Sequence, residues 1–289
     1  MTFSKKCFLL GLAFALSAML ANAQSTDNYE GVSVMSFNVR CDNGQHKDGT
    51  NSWEFRWKCT VDVVNDVKSD VVGLQELTPM ETMAFKEYCP GYKMKGVGRD
   101  DGKKKGEQAA LLYNASTLSL LKWGTFWLSE TPDKVSTGWD AKYPRTATWA
   151  IFKCRKSGKK FLMLNTHLDH KGVKAREEGL RLVCQKVDEL NKEGLPVVVT
   201  GDFNIKPDDP AFAGMEGSGL EDVRVKAEIK DQLGSFHGWG KESKIIDYIF
   251  VKGFSAIPMF RTVTQKYPDE AGEPHFVSDH YPIISCLIF

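Results

Sequence analysis

The chain has 289 residues, and its 38 Lys and Arg against 37 Asp and Glu leave a formal net charge of +1. A protein that binds many nucleic-acid phosphates carries a basic excess that is missing here, so the charge does not favour a polymeric nucleic-acid substrate. The length suits one large domain, and no internal repeat or Pro/Ser-rich linker divides it.

The first residues have the order of an export signal. Lys5 and Lys6 precede an apolar run over residues 7–20, and Ala-Asn-Ala at residues 21–23 offers a small-x-small cleavage pattern. We expect residues 1–23 to be a signal peptide, residues 24–30 a flexible segment and residues 31–289 the mature domain, exported to the periplasm or the cell exterior. The apolar run is too short for a membrane span. The alternative is an uncleaved apolar strand or helix.

Apolar segments and helical periodicities alternate along the rest of the chain. The segments predict strands over residues 32–39, 71–74, 108–113, 146–152, 161–166, 195–200, 245–251 and 281–288. Helices are predicted over residues 57–67 and 175–191, and residues 100–106 form a solvated turn. Several strands are apolar on both sides, which indicates an α/β (α+β) domain of packed sheets covered by helices. The six cysteines after the cleavage site lack CxxC spacing and are expected to be mostly free, buried thiols.

Five predicted strands end on a carboxylate, an amide or an imidazole. Side chains of this kind at several strand ends are typical of a shared cleft. The segments are Ser36-Phe37-Asn38, Leu74-Gln75-Glu76, Asn165-Thr166-His167-Leu168-Asp169, Gly201-Asp202-Phe203-Asn204 and Ser278-Asp279-His280.

The oxygen donors among these residues indicate a metal site. Asp202 and Asn204 lie on one side of an extended segment because side chains alternate with a period of two. With Glu76 and Asn38 they suit Mg²⁺, Mn²⁺ or Ca²⁺ better than zinc, which prefers His and Cys. The alternative for residues 201–204 is an Asx turn.

Two histidines are candidates for acid–base chemistry. Asp247 is an ionisable group in an apolar strand and needs a partner, and His280 could provide it. Such a pair suits removal of a proton from water. Glu107 could orient His167 in the same way. The structural alternatives are that Asp247 binds backbone amides or an arginine, and that His167 is an ordinary satisfied polar residue.

Arg145 precedes an apolar strand. Its planar donor fork could clamp a phosphate oxygen, although a surface salt bridge is the alternative.

Taken in order, these motifs resemble the endonuclease/exonuclease/phosphatase superfamily, which includes deoxyribonuclease I, abasic-site endonucleases, bacterial sphingomyelinases, inositol-polyphosphate 5-phosphatases and deadenylases. The resemblance runs from about residue 32 to the C-terminus. It implies a deoxyribonuclease I-like four-layer sandwich, in which helices flank two packed mixed β-sheets. It also implies a metal-dependent phosphoric ester hydrolase that uses Mg²⁺, Mn²⁺ or Ca²⁺.

The resemblance implies roles for the metal-facing residues. Glu76 would be the principal metal ligand with Asn38 beside it, and Asp279 would hold the metal or its neighbouring ligands. Asp202 and Asn204 would orient water and phosphate, and Asp202 is a further candidate ligand.

It also implies roles around the phosphate. His280, backed by Asp247, would be the general base. His167, backed by Glu107, would contact the phosphate and help the leaving group, and Arg145 would bind phosphate.

The substrate stays open. Phe236 and Trp239 are expected to overhang the cleft and to stack on a base or sugar ring. Arg40 stands where abasic-site endonucleases carry an aspartate, which weakens a DNA-repair role. The balanced charge favours a small or lipid-borne phosphate ester, either a monoester or a diester. The alternatives are a secreted nuclease and a non-catalytic protein that binds a phosphate ligand, and we expect a monomer without a stable protein partner.

Overall fold

The structure, a computed structural model, describes residues 30–289. The predicted signal peptide and all but the last residue of the predicted flexible segment therefore lie outside the described residues. No helix in the described part of the chain is long and apolar enough to cross a bilayer.

Strands outnumber helices in the described chain. They are β1 Gly31–Asn38, β2 Val71–Leu77, β3 Tyr92–Lys95, β4 Gln108–Asn114, β5 Leu118–Trp127, β6 Thr146–Cys154, β7 Lys160–His167, β8 Val197–Asp202, β9 Glu221–Asp222, β10 Asp247–Lys252, β11 Ala256–Thr262, β12 Tyr267–Pro268, β13 Pro274–His275 and β14 Ile283–Ile288. The helices are α1 Gln45–Asp48, α2 Trp53–Val67, α3 Pro79–Tyr88, α4 Val173–Leu190 and α5 Val223–Lys226, with 3-10 turns at Gly49–Asn51 and Pro210–Met215.

The strands form two six-stranded mixed sheets. The first has the order β11-β14-β1-β2-β4-β3, and the second has the order β5-β6-β7-β8-β10-β9. In each sheet one parallel pair, β1 with β2 or β7 with β8, lies among antiparallel neighbours. A separate two-stranded ribbon joins β12 and β13.

Three apolar clusters hold the layers together. One lies between the sheets and includes Val34, Phe152 and Ile249. A second packs helices α2 and α3 on the first sheet, and a third packs α4 on the second sheet. The order helix, sheet, sheet, helix confirms the predicted four-layer sandwich, because each sheet is covered on both faces.

The predicted strands and helices are present with shifted ends. Helix α2 begins at Trp53 and not at residue 57, and strand β8 begins at Val197. Helix α3 and strands β3, β5 and β11 were not predicted. The six cysteines in the described chain are unpaired, as expected, but only three of them are buried.

Candidate active site

Strand register brings the first group of polar side chains together. In the parallel pair β1 and β2, Asn38 lies opposite Gln75, so the carboxyl ends of both strands meet at one edge of the first sheet. The pairing of β2 with β4 then shifts between Leu74 and Leu77, which marks a β-bulge. Glu76 sits in this bulge with a φ of 60°, and it lines the cleft. A bulge re-aims a side chain in this way, and no periodic pattern in the sequence reveals it.

The second sheet supplies a row of three residues. His167 at the end of β7 lies opposite Asp202 at the end of β8, and Asp202 lies opposite Asp247 at the start of β10. The second sheet therefore presents an imidazole and two carboxylates side by side.

The segment before β14 completes the site from the first sheet. The Ser278 hydroxyl donates to the backbone oxygen of Asn38 at 2.8 Å, and the Tyr281 N–H donates to the Ser235 backbone oxygen at 2.7 Å. Between these anchors, His280 Nδ1 lies 2.8 Å from Asp247 Oδ2. The predicted His280–Asp247 pair is present in the structure.

Asp202 lies at the centre of the arrangement. Its Oδ2 is 3.6 Å from Nε2 of His167 and 3.7 Å from Nε2 of His280, and it accepts a hydrogen bond from Asn38 Nδ2 at 2.9 Å. Its Oδ1 accepts from the Asn204 N–H at 2.9 Å. One carboxylate oxygen is thus flanked by the two histidines that the sequence marks.

Burial and charge give the two histidines opposite proton affinities. Burial, and to a smaller extent the positive charge of Arg145, lower the pKa of His167 well below its usual value, so this imidazole is neutral. Burial also lowers the pKa of His280, but the charge of Asp247 and the hydrogen bond to it outweigh burial and raise this pKa to about 10. His280 is therefore charged at neutral pH when no cation offsets the carboxylates around it.

The central carboxylates also differ. Burial and then the charge of Asp247 raise the pKa of Asp202 to about 7. Burial opposes ionisation of Glu76 as well, yet the charge of Arg40 and the hydrogen bonds from the Cys41 N–H and the Asn38 amide bring its pKa below the usual value. Glu76 is therefore ionised at neutral pH.

Asn38 is fully buried between the two sheets. Its Nδ2 donates to Glu76 Oε1 at 3.1 Å and to Asp202 Oδ2, whereas its Oδ1 accepts from the Arg40 N–H at 2.9 Å. The amide thus joins the acidic groups of the two sheets through its nitrogen, and its role as an oxygen ligand stays a prediction.

The predicted pairing of Glu107 with His167 is corrected by the structure. Both carboxylate oxygens of Glu107 accept from Arg99, at 2.6 and 2.8 Å, because the loop before β4 brings that guanidinium alongside. His167 Nε2 instead faces Asn204 Nδ2 at 3.1 Å. Glu107 still lines the cleft, but as the partner of an arginine.

Arg145 is buried beside His167 and is not part of a surface salt bridge. Its Nε donates to Asp169 Oδ2 at 3.2 Å, and its Nη2 lies 3.0 Å from His170 Nδ1. Within residues 30–289, its Nη1 is buried and has no hydrogen-bond partner. A buried donor of this kind suits an anionic oxygen of a substrate.

The cleft has a volume of about 750 Å³ and an aromatic rim. Phe236 lies on it, with its ring 4.9 Å from that of His280, as expected for a residue that overhangs the site. Trp239 is outside the set of lining residues and lies 5.9 Å from the buried Arg56 guanidinium, which corrects its predicted stacking role.

Several lining residues escaped prediction. They are Arg40, Cys41, Asn43, Arg99, Tyr143, His170, Lys206, Lys244 and Ile246. Most belong to loops, where no periodicity marks a direction. His170 was detectable, since it ends the stretch Thr166-His167-Leu168-Asp169-His170.

The donor set fits a divalent cation. Single ligand atoms of Glu76, His167 and Asp202 lie within 4.8 Å of one another, and the same holds for Asp202, Asp247 and His280. Asp279 lines the same cleft with a third carboxylate beside Glu76 and Asp202. Three carboxylates around one buried point repel one another unless a cation lies among them, and oxygen donors suit a hard ion.

Comparison with known proteins places this site in context. The model of the Endonuclease/Exonuclease/phosphatase family matches residues 35–280. A solved mannosyl-6-phosphatase from Bacteroides thetaiotaomicron VPI-5482 is 37% identical, with 89% of this chain and 100% of that chain covered and a TM-score of 0.83. An endonuclease/exonuclease/phosphatase from Bacteroides vulgatus is 35% identical, with 89% and 98% covered and a TM-score of 0.81.

A more distant structure shares the fold alone. TDP2 from D. rerio, solved with a single-strand DNA product, is 20% identical, with 90% of this chain and 99% of that chain covered and a TM-score of 0.69.

Proposed function

Because this chain belongs to the endonuclease/exonuclease/phosphatase family, whose members are phosphoesterases and nucleases, we propose that it is a metal-dependent hydrolase that removes a terminal phosphate from a sugar. The observation that carries the proposal is the position of Asp202 Oδ2, within 3.7 Å of the two imidazoles of His167 and His280. Acidic and imidazole groups that converge in this way can bind a cation, orient a phosphate and take a proton from water.

The cation would be held by carboxylates. The ligands we propose are Glu76, Asp202 and Asp279, with Asn38 beside them. The ion we propose is Mg²⁺, for which Mn²⁺ or Ca²⁺ could substitute. When bound, the ion would neutralise negative charge on the phosphoryl oxygens.

The phosphate would be bound by donors on the second sheet. Arg145 offers its unpartnered Nη1, and neutral His167 and the Asn204 amide lie next to each other at 3.1 Å. These three side chains would orient a non-bridging oxygen and the leaving oxygen.

With a cation offsetting the charge of the carboxylates, His280 would be neutral and its Nε2 would take the proton of the attacking water. Asp247 fixes the imidazole at 2.8 Å through Nδ1, so that Nε2 faces Asp202. This keeps His280 on the water side of the phosphorus, and the leaving group departs on the opposite side, where His167 and Arg145 lie.

We propose a sugar phosphate as the substrate because the relative at 37% identity is a mannosyl-6-phosphatase. The DNA-bound structure at 20% identity supports the fold alone. The balanced charge of +1 also favours a small ester over a nucleic acid.

The test is phosphate release from mannose 6-phosphate with Mg²⁺ and with EDTA. We expect EDTA to abolish release, and Glu76→Gln, Asp202→Asn and His280→Ala each to lower kcat/KM by about 10²–10⁴. Glu189→Gln is the control, since its exposed carboxylate lies on α4 away from the cleft.

Three outcomes would contradict the proposal. Full activity in EDTA, or in all three variants, removes the metal mechanism. Faster cleavage of bis(p-nitrophenyl) phosphate or DNA than of the sugar phosphate supports the nuclease alternative. Binding of sugar phosphates without release of phosphate from any ester supports the binding-protein alternative.

We also propose that the protein is exported and cleaved after Ala23. N-terminal sequencing of the protein from its native source should give Gln24 first, and an intact Met1 would overturn this proposal.

A further inference from the structure

His170 lies on the rim of the cleft and has no part in the proposed chemistry. It is exposed, it follows β7, and its ring lines the cleft together with Tyr143 and Arg145. Its Nδ1 is 3.0 Å from Nη2 of Arg145. This single contact determines where the proton of the imidazole lies.

A guanidinium can only donate hydrogen bonds and does not lose its proton in proteins. Nδ1 of His170 therefore accepts from Arg145, and a neutral imidazole that accepts at Nδ1 carries its hydrogen on Nε2. Burial and then the charge of Arg145 lower the pKa of His170, which agrees with a neutral ring. The residue thus presents one uncharged N–H donor of known position.

The ring is also held in place. Arg145 is fixed by Asp169, whose Oδ1 accepts from the Lys171 and Gly172 N–H groups at 2.9 Å each. On its other side, the His170 ring packs against Tyr143, with centroids 6.0 Å apart and an interplanar angle of 26°. A donor fixed from two sides binds an acceptor with little loss of side-chain entropy.

The position of His170 along the cleft identifies its partner. Arg145 connects it to the His167 side of Asp202, whereas Phe236 borders the His280 side. In an in-line displacement, water and leaving group lie on opposite sides of the phosphorus. With His280 on the side of the attacking water, as in the proposed mechanism, His170 would lie on the side from which the alcohol leaves.

We propose that His170 determines leaving-group specificity by donating its Nε2 hydrogen to a hydroxyl or ring oxygen of a sugar next to the phosphate ester. Arg99 extends this recognition surface, since its guanidinium is held by Glu107 and lies 5.1 Å from the Tyr143 ring centroid. The class of leaving group is an alcohol that carries further oxygen acceptors, as a hexose does. The inference rests on the proposed function.

The experiment compares two monoesters that differ in the leaving group. Mannose 6-phosphate carries acceptors beside the ester, and phenyl phosphate carries none. His170→Phe keeps a flat ring against Tyr143 but removes the donor, and His170→Gln places an amide N–H near the position of Nε2. The quantity compared is kcat/KM for mannose 6-phosphate divided by kcat/KM for phenyl phosphate. We expect His170→Phe to lower this ratio about 10-fold, which corresponds to the loss of one hydrogen bond. His170→Gln should restore most of the wild-type ratio.

Each other outcome has its own meaning. An unchanged ratio in His170→Phe overturns the inference, whether both rates fall together or neither falls, because the residue then acts through Arg145 or not at all. A wild-type protein that cleaves phenyl phosphate but not mannose 6-phosphate overturns the proposed sugar substrate and this inference with it. A wild-type protein that cleaves neither ester overturns the proposed function itself.

Discussion

Three residues that line the cleft hold backbone conformations that side chains rarely adopt. Arg40, Glu76 and Asn204 have φ between 51° and 60°. Such a conformation costs about 1–2 kcal/mol for a residue with a Cβ, so neighbouring contacts have to maintain it. For Glu76 these contacts are the N–H of Cys41 and the amide of Asn38. The site thus holds part of its geometry at the expense of local stability.

A pair of variants at Glu76 measures this strain. Both Glu76→Ala and Glu76→Gly remove the carboxylate, but only glycine adopts a φ of 60° without a clash. We expect Glu76→Gly to be more stable than Glu76→Ala by about 1 kcal/mol in urea unfolding, although both lose activity. An alanine variant at least as stable as the glycine variant would show that the backbone relaxes there.

His237 makes the stability of the protein depend on pH. Its ring is buried against Tyr281, with centroids 3.9 Å apart, and its Nδ1 accepts from the Gly240 N–H at 3.0 Å. Burial and then the charge of His280 lower its pKa to about 4. As the pH falls, the unfolded chain takes up this proton first, near pH 6.5, so stability is lost between about pH 6.5 and 4.

His237→Asn keeps an acceptor for Gly240 but does not titrate. The unfolding free energy of the wild type relative to this variant should fall by about 2 kcal/mol between pH 7 and pH 5. Urea unfolding at both pH values measures the difference. A constant difference would contradict the lowered pKa.

At the scale of elements, the bulge in β2 is the feature that aims Glu76 at the cleft. It interrupts the pairing of β2 with β4, and the freed backbone oxygens of Leu74 and Ala110 accept from Asn165 Nδ2 at 2.8 and 2.9 Å. Asn165 belongs to β7 of the other sheet. The buried Asn165 amide therefore supplies hydrogen bonds to both backbone oxygens at the bulge and joins the two sheets beneath the site.

Removing this amide should be costly. Asn165→Leu leaves two buried oxygens without donors, and we expect it to lower the free energy of unfolding by about 2–4 kcal/mol. Thr200→Val is the matched control, since it removes a hydroxyl that lies 3.0 Å from Asn165 Oδ1 and 3.4 Å from the Leu164 backbone oxygen but leaves the Asn165 Nδ2 hydrogen bonds in place, and it should cost about 1 kcal/mol. Equal losses in chemical denaturation would contradict the role given to the Asn165 nitrogen.

The sequence predicts elements and site residues unequally, for physical reasons. Strand ends such as Asp202 and His280 are detectable because an apolar run stops on a polar group. Helix α3 was missed although Thr78 and Glu81 form a capping box and Pro79 begins the helix, which are detectable start signals. The partner of Glu107 was not predictable, because Arg99 reaches it through a loop without periodicity.

On the scale of the whole molecule, the site forms only where the two sheets meet. Glu76 and Asp279 come from the first sheet or its flanking loop, and Asp202 and His167 come from the second. Their carboxylates repel one another across the interface, so the packing of the sheets works against this charge. A cation between the sheets would remove the repulsion.

Thermal unfolding should therefore respond to the ion. Mg²⁺ at about 100 times its Kd should raise the Tm of the wild type by about 5 °C, because it binds the folded state alone. Glu76→Gln should show a much smaller rise, with NaCl at equal ionic strength as the control. The same rise in both proteins would place the ion elsewhere.

The pairing of β14 with β1 has a consequence for how the molecule is made. The strand next to Asp279 and His280 closes the first sheet against a strand that begins at Gly31, some 250 residues earlier. A chain still in synthesis has Glu76 and Asp202 but lacks both of these late groups and the strand that anchors them. Under the proposed function, the polypeptide would therefore be inert towards phosphate esters until β14 and the segment before it have been synthesised and have paired with β1.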